Sequence, residues 1–246
     1  MTVQTASRRA GSRGPRTAGA GSGRGGDQHP SDQGSGLLAL VSGALFLLLA
    51  AILVRTSVFT ADDRAGSLEA RDWLGDHPGS PLVQLVHLGD APSVVVVVGL
   101  VAVTASLAQR RWRPVVGSAA TLVVLAGAVG ASKVVMGRIP PTSNGARSGT
   151  FFTDGSAFPS GHTAGTLVTL LLVASLVAGP GGVFPSRALY AVLVVGSLGI
   201  AAGVGAVTVA LGWHWPTDVA GGALLAGVVW SIGRALVHRA PQARTD

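Results

Sequence analysis

Six apolar blocks, most of them close to the length of a bilayer crossing, decide what this chain can fold into. They run over approximately 37–54, 92–108, 114–135, 161–178, 188–211 and 216–237. About 20 apolar residues in a helix rise ~30 Å, the thickness of the hydrocarbon core. Helix is the conformation that fits, because an unclosed chain in lipid must satisfy its backbone polar groups within each segment. Composition agrees: 48% of the 246 residues are hydrophobic and 12% charged, with a positive mean hydropathy. Gly and Ala are abundant in the blocks, which suits close approach of membrane helices. The expected fold is all-α, a six-span transmembrane helical bundle with a disordered N-terminal tail.

The boundaries follow from the same pattern. Residues 1–36 are rich in Gly, Ser and Arg without apolar periodicity and read as a disordered cytoplasmic tail; residues 37–238 form the membrane domain, and 239–246 a short cytoplasmic tail. Arg8-Arg9 lies nearly thirty residues ahead of the first apolar block, too far for a twin-arginine signal, so it reads as part of a basic tail. The first block is long for a signal sequence, and no clear small-x-small cleavage site follows it. An anchor is the expectation.

Arginine and lysine mark the cytoplasmic side of a membrane protein. If both termini share one side, that side holds twelve arginines, among them Arg110, Arg111, Arg113, Arg187 and Arg234, against three aspartates. The opposite side holds six basic residues against eight acidic ones. The tails are therefore expected inside, and loops 55–91, 136–160 and 212–215 outside. Within the first of these, Leu68, Trp73, Leu82, Leu85, Val86 and Leu88 alternate with charge. That pattern fits either amphipathic segments on the outer membrane surface or a packed cap over the bundle. His77 and His87 read as a surface and an interfacial histidine rather than as ligands. The formal charge of +7 is not gathered on one face with interleaved aromatics, which argues against nucleic acid and for lipid headgroups as the counter-charge. There is no cysteine, so thiolate chemistry and disulfides are excluded.

Two outer segments at helix junctions are dense in residue types that a membrane protein rarely keeps without use. The first runs from Lys133 through Arg138 to Pro159-Ser160-Gly161-His162. Ser160 is a good N-cap for the fourth span, and the free amides of that first turn make an anion site beside His162. The second is Trp213-His214-Trp215-Pro216-Thr217-Asp218. Pro216 suits the first helical position, which puts Asp218 in the first turn, able to turn back and accept from a ring nitrogen of His214. That bond would fix the tautomer and leave the other nitrogen free to attack.

Together these residues resemble the type 2 phosphatidic acid phosphatase superfamily, which also takes in polyprenyl pyrophosphate phosphatases and vanadium haloperoxidases. The resemblance covers roughly residues 37–238. Of the family's three motifs, the second is intact as Pro159-Ser160-Gly161-His162, His214 and Asp218 match the end of the third, and Lys133 matches the start of the first. Two motif arginines are missing: Pro140 stands seven residues after Lys133, and Thr208 six residues before His214. Arg138 sits two positions before Pro140, where many members carry a basic residue.

The resemblance implies a membrane phosphatase acting on a lipid phosphate or pyrophosphate, a polyprenyl carrier foremost, at the outer face of the cytoplasmic membrane. It implies His214 as nucleophile, His162 as the acid, Asp218 orienting His214, and phosphate held by Lys133, Arg138, Ser160 and the Gly161 and His162 amides. Arg147 is expected to close over the phosphate, and no metal or cofactor is called for. A catalytically degenerate relative that binds lipid phosphate is the alternative, for which the missing arginines speak. A transporter is disfavoured by the lack of an inverted repeat. Which lipid, and the oligomeric state, the residues leave open.

Overall fold

A computed structural model describes residues 30–55, 60–75, 81–142 and 156–238. The helices are α1 (Pro30–Arg55), α2 (Thr60–Gly75), α3 (Pro81–Leu85), α4 (Ala91–Gln109), α5 (Arg113–Met136), α6 (Gly161–Ala178), α7 (Arg187–Ala210) and α8 (Pro216–His238), with a 3₁₀ turn over Val86–Gly89 between α3 and α4. Six of these are long and apolar enough to cross a membrane, and they fall on the six blocks read from the sequence. One boundary differs. Helix α1 opens at Pro30, inside the stretch expected to be tail, because proline suits a first helical position and the apolar run begins only at Gly36. The expected disorder of residues 1–29 and the tail 239–246 lie outside the described residues.

Burial identifies the centre of the bundle. In α6, 72% of the spanning window is buried, against 6% in α1. Helix α6 therefore packs on several sides, against α4, α7 and α8, while α1 lies on the outside of α8. Leu167, Val168, Leu171 and Leu172 of α6 meet Val98, Leu125, Ala201, Leu225 and Val229 from four neighbouring helices. In lipid such packing is held by van der Waals contact and interhelical hydrogen bonds rather than by expulsion of water. The Trp230 indole N–H donates to the Ser175 hydroxyl at 3.2 Å, a bond worth on the order of 0.6 kcal/mol in such a bundle.

The segment before α4 resolves the choice left open above in favour of a cap. Helix α2 packs on α7 and α8, burying Asp63 and Ser67, one turn apart, against the bundle. Val86 of the 3₁₀ turn is also sealed in. Both elements cover the bundle end where α5 finishes, α6 begins and the α7–α8 turn lies. At the opposite end the Gln109 side chain donates to the Gly181 carbonyl at 3.1 Å, tying the α4–α5 turn to the α6–α7 loop.

Candidate active site

The capped end gathers the residues singled out in the sequence. Ser160 is the N-cap of α6: its hydroxyl oxygen accepts from the Thr163 amide at 3.3 Å and from the Thr163 hydroxyl at 3.1 Å. Its own amide donates to the Asp218 carbonyl at 2.9 Å, and the Phe158–Pro159 bond before it is cis. Ser160 is fully buried. The amides of Gly161 and His162, next in the turn, meet no acceptor among the described residues. The Lys133 ammonium, in the last turn of α5, lies 3.8 Å from the point where a Gly161 side chain would begin. A helix N-terminus with open amides and an ammonium beside it is a binding place for an anion.

The second histidine arrives from the α7–α8 turn. Gly212 takes a φ of +70°, which favours glycine, and the chain doubles back so that the Trp213 and His214 amides both donate to the Thr208 carbonyl, at 3.0 and 3.3 Å. The His214 Nδ1 lies 2.8 Å from the Ala157 carbonyl, and the Ala157 amide donates to the Arg138 carbonyl at 2.8 Å. A carbonyl can only accept, so Nδ1 carries the proton and Nε2 is the nitrogen with a free lone pair. The His162 and His214 rings stand edge to face with centroids 5.8 Å apart, and the Trp213 ring lies 5.6 Å from that of His162.

Two expectations are corrected by this geometry. Asp218 does not accept from His214: its Oδ2 is 3.8 Å from Nδ1, too far for a hydrogen bond, and the Ala157 carbonyl takes that place. The Asp218 carboxylate is spent on the Trp215 amide at 2.8 Å and on Arg138 Nη1 at 2.5 Å. The Arg138 guanidinium, expected to hold phosphate, is instead engaged inside the protein through both terminal nitrogens, with Nε buried and without a partner among the described residues. Nη1 also donates to Thr217 Oγ1 at 2.6 Å, Nη2 donates to Asp63 Oδ2 at 2.6 Å, and the group lies 5.6 Å from the centre of the Trp215 ring. Asp63 completes the knot by accepting from the Thr217 amide and hydroxyl, at 3.0 and 2.6 Å. The reason is electrostatic: two buried carboxylates need a counter-ion, and Arg138 is the cation between them. Arg147 lies outside the described residues.

Asp63, Thr217, Ala157 and Asp90 are residues of the candidate site to which the sequence reading gave no role. Asp63 and Asp90 were legible only as outer acidic charge. Asp90 is the N-cap residue of α4, yet its side chain makes no capping bond. Instead Oδ1 lies 3.2 Å from His162 Nε2, and Oδ2 lies 2.7 Å from Nδ1 of His87, the histidine expected to be interfacial. Thr208, where the family pattern has arginine, is fully buried, its hydroxyl donating to the Gly205 carbonyl at 2.8 Å. A separate cavity of about 590 Å³ opens between α2, α3 and α7, lined by Gly66, Leu85, Ala206 and Val207 among others.

Comparison with known proteins gives two matches. The sequence fits the PAP2 superfamily model over residues 114–242. The structure superimposes on the crystal structure of a transmembrane PAP2-type phosphatidylglycerolphosphate phosphatase from Bacillus subtilis, with a TM-score of 0.63 and 22% identity, covering 80% of this chain and 94% of that one. No curated protein sequence matches the chain.

Proposed function

Since the chain belongs to the PAP2 superfamily, we propose that it is a membrane lipid phosphatase that hydrolyses a lipid phosphate or pyrophosphate, a polyprenyl carrier foremost, through a phosphohistidine. The observation that carries the reading is the pair of histidines 5.8 Å apart at the open amides of α6, with the Lys133 ammonium beside them. His214 Nε2 attacks the terminal phosphorus. The N–P bond forms as the P–O bond to the lipid breaks, and His162 gives its proton to the departing oxygen. Water then attacks the phosphohistidine, returning a proton to His162 and releasing phosphate. The Ala157 carbonyl fixes the reactive tautomer of His214, and Asp218 adds negative charge 3.8 Å away as that ring becomes cationic.

Lys133 and the Gly161 and His162 amides supply the electrostatic complement to the equatorial oxygens. Arg71, which reaches across Gly212 from α2, adds a cation at the same end. No step requires a metal. The apolar cavity between α2 and α7 offers a bed for part of the lipid chain. An outward-facing site is supported by charge: among the described residues the opposite bundle end holds Arg110, Arg111, Arg113, Arg187 and Arg234 against Asp32, whereas at the site end Asp62, Asp63, Glu69, Asp72, Asp90 and Asp218 offset Arg55, Arg64, Arg71, Lys133 and Arg138. Residues 1–29 and 239–246 then belong to the cytoplasm.

The test is phosphate release by purified protein in detergent, with chelator, from polyprenyl pyrophosphate, polyprenyl phosphate, phosphatidic acid and phosphatidylglycerolphosphate. Release from at least one, with an acid-labile phosphate label that His214→Ala abolishes, is expected. Binding without release from any of them would favour the second reading, a non-catalytic lipid-phosphate binder, for which Pro140 and Thr208 in the arginine positions are the motivating observation.

A further inference from the structure

An aspartate at a helix N-cap ordinarily turns its carboxylate onto the amides of its own first turn, a bond worth about 1 kcal/mol. Asp90 forgoes it. Both carboxylate oxygens are committed elsewhere, one to His162 and one to His87. The backbone holds this diversion in place. A side chain on Gly89 would collide with the His162 carbonyl, and one on Gly165 would meet the Gly89 carbonyl at 2.8 Å. The residue before Asp90 is thus packed directly on the turn of α6 that carries His162, and Val86 anchors the same 3₁₀ turn in the core.

We propose that Asp90 is the positioning residue of the acid histidine, holding Nε2–H of the His162 imidazolium so that Nδ1–H is the proton that meets the leaving oxygen and the neutral Nε2–H ring is what remains after transfer, with His87 steadying the carboxylate from behind. The inference rests on the phosphatase reading and adds a group that lies in none of the motifs quoted above. Its chemical need is clear. A lipid alkoxide is a poor leaving group and departs with a proton, and the imidazole that supplies it stands in an open cleft, its side chain 25% exposed. Without a partner on one nitrogen, either ring face of the acid form and either tautomer of the neutral form is available, and part of the population presents the wrong atom. The Nδ1 of His162 meets no partner among the described residues, which leaves it for substrate.

The experiment compares Asp90→Asn with wild type, full-length in detergent, on two substrates that differ in their need for an acid. Dioleoyl phosphatidic acid releases an alkoxide; p-nitrophenyl phosphate releases a phenolate that leaves without a proton. The quantity compared is kcat/KM, which reports only steps up to formation of the phosphohistidine. The expected result is a loss of about tenfold to a hundredfold for the lipid, part of the general-acid contribution. For the aryl phosphate the expected change is less than about threefold. His87→Asn should give a smaller loss with the same substrate pattern. Equal losses on both substrates, or no loss on either, overturn the inference. A second readout is independent of turnover: in ¹⁵N spectra of histidine-labelled protein, neutral His162 should be the Nε2–H tautomer in wild type and a mixture in Asp90→Asn. If wild type cleaves neither substrate, nor any lipid of the panel above, the phosphatase reading fails and these spectra alone decide the pairing. An unchanged tautomer in the variant sinks it.

Discussion

Replacing Arg138 by alanine removes the shared counter-ion of two carboxylates that are themselves almost sealed from solvent, Asp63 at 2% and Asp218 at 0% exposure. Breaking a buried pair by removing one partner costs on the order of 3–5 kcal/mol, since the remaining charge is left uncompensated. Here one deletion strands two carboxylates and unties α2 from the start of α8, so the upper half of that range applies. At roughly 2–4 °C per kcal/mol for a chain of this size, the melting temperature in detergent should fall by about 10 °C or more. Lys133→Ala makes the contrast: the half-buried ammonium faces the open amides, so melting should hold within ~2 °C while phosphate release drops about a hundredfold. Adding Asp63→Asn to Arg138→Ala should recover part of the loss, the double variant being less damaged than the two single losses combined by about 0.5–3 kcal/mol. Thermal melts and single-turnover rates on wild type, the three single variants Arg138→Ala, Asp63→Asn and Lys133→Ala, and the double variant decide it. If Arg138→Ala melts like wild type and loses only turnover, the guanidinium works on substrate and the buried-counter-ion argument is wrong.

His214→Ala and His162→Ala should each lower phosphate release by at least about a thousandfold, as expected for direct participants. His162→Ala should melt like wild type, and His214→Ala a few degrees lower because the buried Ala157 carbonyl loses its donor; substantial residual turnover in His214→Ala would refute the covalent step. Thr208→Arg should not restore the missing motif charge, because position 208 is fully buried and an unpaired guanidinium there costs about 3 kcal/mol or more. A stable variant with faster turnover would show instead that the position opens onto the phosphate. For topology, Ala65→Cys on exposed α2 should react with an impermeant thiol reagent in intact cells, and Arg111→Cys should react only after lysis, both positions being exposed; the reverse pattern inverts the orientation.

Span number and helix type were legible because both are local: a helix in lipid satisfies its own backbone, so length and apolarity suffice to mark it. The capping role of Ser160 and the first-turn place of Asp218 are legible for the same reason; the approach of His162 to His214 is not local and is legible only through the resemblance of spaced motifs. The partners of those residues were not. Spacing of one helical turn pairs Asp218 with His214, but in the structure the nearer acceptor for His214 is a carbonyl 57 positions away, and Asp218 is claimed by a guanidinium 80 positions away. The place of Arg138, two positions before Pro140 and between two motifs, points to a phosphate ligand. Only the docking of α2 shows that Asp63 already neutralises it. Likewise nothing in the spacing of His87, Asp90 and His162 couples them; the close packing of Gly89 on α6 does. Helical geometry is fixed by interactions within a few residues, whereas the pairing of a charge depends on which opposite charge the folded chain brings within a few ångströms, and that is decided only when the helices have packed.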